Sequence, residues 1–166
     1  MSGYSIESPI SIASKSLVGL RVESAIIGMG VGTAVLLEFG GLVNSGQAES
    51  RKTVDYSHSL FVQDGTWRLE SSESVLVSSS TSSNDEQSPI VREFERLVGE
   101  KVTFVEVRNL GKDLEIRFSN GFNFLVFSAP IIDSTSNFYS IHTPALVVSL
   151  DFDGNEEVES RSTPNG

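Results

Sequence analysis

QSPIVREFERLVG, residues 87–99, repeats ESPISIASKSLVG, residues 7–19, at an offset of 80 residues and without a gap. Ser8, Pro9, Ile10, Leu17, Val18 and Gly19 recur as Ser88, Pro89, Ile90, Leu97, Val98 and Gly99. Each copy opens with a serine hydroxyl able to cap a helix, followed by a proline at the first helical position, where its missing N–H costs nothing. In the second copy Ile90, Phe94, Leu97 and Val98 fall at helical spacing, with Arg92, Glu93, Glu95 and Arg96 on the other side. One face of that helix seeks a core. Gly19 and Gly99 supply the left-handed stop.

Outward from the two helices the period changes from helical to alternating. Leu114, Ile116 and Phe118 alternate with Asp113, Glu115 and Arg117, the pattern of a strand with one buried face. Asn120-Gly121 then precedes Phe122, Phe124 and Val126, a strong hairpin signal because both turn positions accept positive φ. Gly40-Gly41 is expected to do the same in the first half, and Asp64-Gly65 and Asp153-Gly154 read as further turns. Trp67-Arg68-Leu69 leading to Val75-Leu76-Val77 resembles Tyr139-Ser140-Ile141 leading to Val147-Val148, at a shorter offset of 72.

The expected fold is therefore α+β: two pseudo-equivalent units, each a helix plus antiparallel β-sheet, packed around one core. A single domain over residues 1–155 would hold repeats at about 7–77 and 87–154, joined by the polar run SSSTSSNDEQS at 78–88. Residues 156–166, EEVESRSTPNG, read as a flexible acidic tail.

Composition narrows the function classes. The 166 residues hold 12 Lys+Arg against 22 Asp+Glu, a net charge of −10, so a nucleic-acid backbone is not an expected partner. The excess lies in the second half, net −7 over residues 81–166 against −3 over 1–80. With no cysteine, thiolate metal sites, disulfides and cysteine nucleophiles are excluded. Met1–Ile10 carries no positive charge ahead of an apolar run, as a secretory signal would require, and the protein is read as cytoplasmic. Ser24 to Leu37 is the most membrane-like stretch, yet it is shorter than the roughly 20 residues a spanning helix needs. No membrane contact is expected.

The chemical motifs are thin. Gly28-Met29-Gly30-Val31-Gly32 lacks the third glycine of a dinucleotide fingerprint and is followed by a strand. Asp151, Asp153 and Asn155 alternate like calcium ligands, but Gly154 comes directly after the second aspartate, out of register for such a loop, so a turn is favoured. His58 and His142, the only imidazoles, sit at non-equivalent places and have no motif to supply a nucleophile or orienting acid. No G-x-S-x-G elbow or H-E-x-x-H helix occurs, and neither catalytic residues nor cofactor nor metal are expected. Trp67 and Tyr139 read first as core side chains. If the chain binds a partner, these two aromatics together with Asp151 and Asp153 are the candidate contact residues.

The run Leu-Val-Gly-x-x-Val at 97–102, the segment DLEIRFSNG at 113–121 and the aromatic-led Phe138-Tyr139-Ser140-Ile141 resemble a bacterial two-repeat domain of unknown function. Small acidic proteins of this kind are similar to immunity proteins encoded beside polymorphic toxins. The resemblance implies a non-enzymatic protein-binding module of the toxin-neutralising, immunity-like kind; the acidic charge separately points to a basic protein partner, and the chain is expected to be a monomer or homodimer. The alternative is a small-molecule binding protein or hydrolase using a cleft between the two halves.

Overall fold

A computed structural model describes residues 7–27, 34–43, 55–81, 88–108, 112–127 and 137–161. The first half contributes α1 (Pro9–Lys15), β1 (Val22–Ile27), β2 (Val35–Val43), β3 (Asp55–Val62), β4 (Thr66–Glu70) and β5 (Val75–Ser78). The second contributes α2 (Pro89–Glu95), β6 (Val102–Arg108), β7 (Asp113–Phe118), β8 (Asn123–Phe127), β9 (Asn137–His142), β10 (Leu146–Asp151) and β11 (Glu156–Ser160).

The strands form two antiparallel sheets that exchange strands between the halves. One runs β1-β2-β3-β9-β10-β11, the other β5-β4-β8-β7-β6. The junctions correspond: Tyr139 faces Val62 and Ile141 faces Leu60 where β9 meets β3, while Trp67 faces Val126 and Leu69 faces Phe124 where β4 meets β8. A reciprocal crossing links the beginnings of the two halves. Gly19 N–H donates to Val102 O at 2.8 Å and Gly99 N–H to Val22 O at 2.7 Å, around a bridge between Arg21 and Lys101. Gly19 and Gly99 have φ of 86° and 89°, and each follows a seven-residue helix.

This is mostly antiparallel β, not the α+β balance expected from the sequence. Two short helices are the whole helical content of the described residues, and strands make up the rest of the regular structure. The physical reason is that each helix stops after two turns. At Ser16 and Arg96 the chain enters a tight turn toward the left-handed glycine, so each helix is short, and the core is made mostly by strand residues of both sheets meeting in one cluster. The core is one continuous cluster running from Ile10 and Leu17 through Phe39, Trp67, Phe94 and Phe124 to Tyr139 and Leu150.

Two further expectations are corrected. Gly40-Gly41 forms no hairpin turn. It lies inside β2, where the pairing with β3 skips from Phe39 to Leu42; Gly40 has φ 73° and donates its N–H to Arg21 O at 3.1 Å. A bulge needs that positive φ, and a Cβ at Gly40 would collide with the Ser57 hydroxyl. Glu156–Ser160, read as the start of a frayed tail, is instead β11, paired with β10 from Leu146↔Ser160 to Leu150↔Glu156. The Asn120-Gly121 turn does close a hairpin, with Phe118 N–H donating to Phe122 O at 2.9 Å. The Gly28–Gly32 run and most of the Ser-rich segment, 82–87, lie outside the described residues. No described helix is long and apolar enough to cross a membrane.

Candidate functional site

Among the described residues the two short helices leave part of the six-stranded sheet uncovered. Alternation along its strands puts Leu60, Ile141, Val148 and Val158 in one row on the inner face, and α1 packs over β9, β10 and β11. Over the β10–β11 end of that row, between α1 and the β9–β10 turn, an open groove of about 500 Å³ remains. Pro9, Ile12, Ala13 and Ser16 form its helical wall, Leu146, Val148 and Val158 its floor, and His58, Thr143 and Pro144 its end. Ile12, Leu146 and Val158 are 58%, 39% and 46% exposed, so three large apolar side chains meet solvent in one place.

Charge surrounds this apolar strip without entering it. Among the described residues His58 is the one ionisable lining side chain; its Nδ1 lies 2.9 Å from Ser57 Oγ, and burial followed by the nearby Arg161 guanidinium lowers its pKa. Arg161 clamps the end of the sheet, donating from one terminal nitrogen to Ser57 O and Thr143 O, both at 3.1 Å, and from the other to Tyr56 O at 3.2 Å. Glu156 anchors β11 to α1. One carboxylate oxygen accepts the Ile10 N–H at 2.9 Å, and the other pairs with Lys112, which also donates to Gly154 O at 3.0 Å. Burial works to raise the Glu156 pKa, but Lys112, the Ile10 amide and the Ser8 hydroxyl outweigh it and hold the carboxyl below its usual range.

The four partner-contact candidates do not assemble into a site. Trp67 and Tyr139 are fully buried and offer no surface to a partner. Trp67 stacks edge-on against Phe94 at 5.2 Å. Tyr139 packs on Phe138 and donates its hydroxyl to Lys112 O at 2.9 Å; burial raises its pKa, with Glu156 and Asp113 adding to the effect. Asp151 organises the β10–β11 turn: Oδ1 accepts from the amides of Asp153 and Asn155, and Oδ2 from the Asn155 side chain. The Asn155 side-chain bond leads the causes that lower its pKa. Asp153 is exposed in the same turn. No group of three or more histidines and acids among the described residues is placed to hold a metal.

His58 and His142 lie one register step apart, since His142 faces Ser59, but strand alternation sets them on opposite faces of the sheet. His142 Nε2 is 3.4 Å from Ser140 Oγ, and its pKa is lowered by burial and Arg161. Sequence reasoning missed Ile12, Leu146, Val158 and Arg161. The signal available was β11 itself, where a lone valine between glutamates follows a turn.

The outer face of the five-stranded sheet offers a contrast. Glu106 and Glu115 face each other across β6 and β7, and Arg108 bridges both while Arg117 pairs with Glu115 at 2.7 Å. Arg117 also lies over Phe104, and Arg68 over Phe127. Its acids are neutralised in place. Comparison with protein-family models, with curated proteins and with solved structures finds no match.

Proposed function

We propose that the protein is a cytoplasmic, non-enzymatic, acidic protein-binding module that receives a partner in the groove between α1 and β10–β11. The observation that carries this reading is the convergence of exposed Ile12, Leu146 and Val158 in one groove. These side chains are already about half covered, so completing their burial contributes roughly 0.7–1.5 kcal/mol apiece, a shared apolar anchor for an interface. The net charge of −10 favours a basic partner and speeds its encounter. Neutralisation of a toxin is the setting that the likeness to immunity proteins suggests.

The test is affinity capture from the protein's own cell with the wild-type chain and with Ile12→Asp/Val158→Asp. Both positions are exposed, so the double variant is expected to keep the wild-type melting temperature while losing a protein that the wild-type chain retains. Equal retention by both chains would sink the reading.

A second reading uses the same groove for a small apolar ligand. It is favoured by the groove's position between the halves, with α1 and His58 from the first and Thr143 to Val158 from the second, and by a volume in the range of ligand pockets. A metabolite extract that raises the melting temperature of the wild-type chain, but not of the double variant, would support it.

A further inference from the structure

From the open edge of β11 we infer that the partner enters as an added β-strand whose residues alternate between basic and apolar. This deepens the groove reading and rests on it. Of the four sheet edges in the described residues, β11 is the one left unguarded. The β1 and β6 edges lie at the crossing between the halves, where Val22 N–H donates to Glu100 O and Val102 N–H to Leu20 O, both at 2.9 Å, and each packs against the other half's helix. At four residues β5 is short, and its end is folded back, with the Ser78 N–H donating to Thr81 Oγ1 at 3.1 Å. Among the described residues β11 pairs with β10 alone and ends its sheet.

The two faces of β11 specify the occupant. Val158 faces the groove beside Val148, so a strand added to the edge would lay every second residue along the strip leading to Ile12. Glu157 and Glu159 face the other way, opposite Ser149 and Val147, and both are exposed. Neither makes an ion pair among the described residues, whereas Glu70, Glu106 and Glu115 of the other sheet are each matched by arginine. Intervening residues of an added strand would meet these two glutamates, which favours lysine or arginine there. A second copy of this chain fits poorly, because pairing β11 with itself sets glutamates against glutamates. Main-chain bonds would then give affinity, and the alternating side chains specificity.

The probe is a peptide of about ten residues alternating lysine and valine, with a block peptide of the same composition as control. The alternating peptide is expected to bind the intact chain, to slow hydrogen exchange at the amides of Glu156–Ser160, and to weaken as salt rises. Glu157→Lys/Glu159→Lys, exposed and outside the core, should weaken it about tenfold or more. Equal binding of the block peptide, no protection of β11, or indifference to the charge reversal each overturns strand addition. Should the captured cellular partner be lost with Ile12→Asp/Val158→Asp yet persist with Glu157→Lys/Glu159→Lys, the groove reading stands and the strand mode falls. Loss with neither variant removes both.

Discussion

The two helix–sheet contacts begin from the same Ser-Pro start and the same glycine stop, yet they are closed by different means. Under α2, Phe94 meets Trp67 at 5.2 Å and Phe124 at 5.6 Å, nearly perpendicular in both cases, and three rings seal the space. Under α1 the residue 80 positions earlier is Ser14, and the facing strands supply Tyr139 and Leu60 where the other side has Trp67 and Phe124. Ser14 is buried but turns its hydroxyl back on its own helix, to Ile10 O at 2.7 Å and Ser11 O at 3.0 Å. Capping differs as well. Ser88 Oγ accepts the Val91 N–H at 3.3 Å, while Ser8 makes no such bond and the Ile10 amide goes to Glu156 of β11. One backbone plan thus tolerates both a ring-sealed contact and one held by a remote carboxylate, and the groove lies beside the second.

The comparison breaks most visibly at the rings. Phe94→Ala should lower stability by about 3–5 kcal/mol, since it removes a fully buried ring that two neighbours were shaped around. Its counterpart Ser14→Ala removes a hydroxyl satisfied within its own helix and should cost less than about 1 kcal/mol. Urea unfolding of both variants checks the contrast, and equal losses would refute the claim that only α2 depends on aromatic packing. Next in size is Glu156→Gln. It keeps the shape but removes the charge that Lys112 and the Ile10 amide share, at a cost of about 2 kcal/mol. Hydrogen exchange should quicken in β11 and at the start of α1 and leave α2 unchanged. Uniform quickening across both helices would show that β11 is not what holds α1.

Where the sequence was legible, the deciding interactions were local. Pro9 and Ser88-Pro89 mark the helix starts, Gly19 and Gly99 their ends, and Asn120-Gly121 its hairpin, because each acts within a few residues of its own position. Gly40-Gly41 was ambiguous for the same reason: a glycine pair in an alternating run suits a turn or a bulge, and only the distant pairing with β3 chooses. The strand exchange was illegible, since nothing in Trp67-Arg68-Leu69 or Tyr139-Ser140-Ile141 says whose sheet it joins. β11 reads as a tail because an edge strand needs a single apolar residue on one face, and EEVES supplies just Val158. The groove has no sequence signal of its own. It arises from the shortness of α1 and the arrival of β11 beside it.

The smallest expected effect concerns pH, and it separates the two sheets once more, because both histidines belong to the six-stranded one. Burial, with Arg161 nearby, depresses the pKa of His58 and of His142 below the ordinary 6.5. On acidification the unfolded chain therefore takes up these protons first. Between the unfolded and folded pKa values the unfolded state binds more protons, so stability is full above about pH 6.5 and declines as pH falls through that window. A second decline belongs lower, where Glu156 and Asp151, whose carboxyls are held below their usual range, become protonated on folding-sensitive sites. Urea midpoints measured from pH 8 downward should show the first decline in the wild-type chain and lose it in His58→Gln/His142→Gln, with the acid limb kept. A first decline that survives in the double variant would assign it to groups outside this sheet and remove the histidines from the comparison.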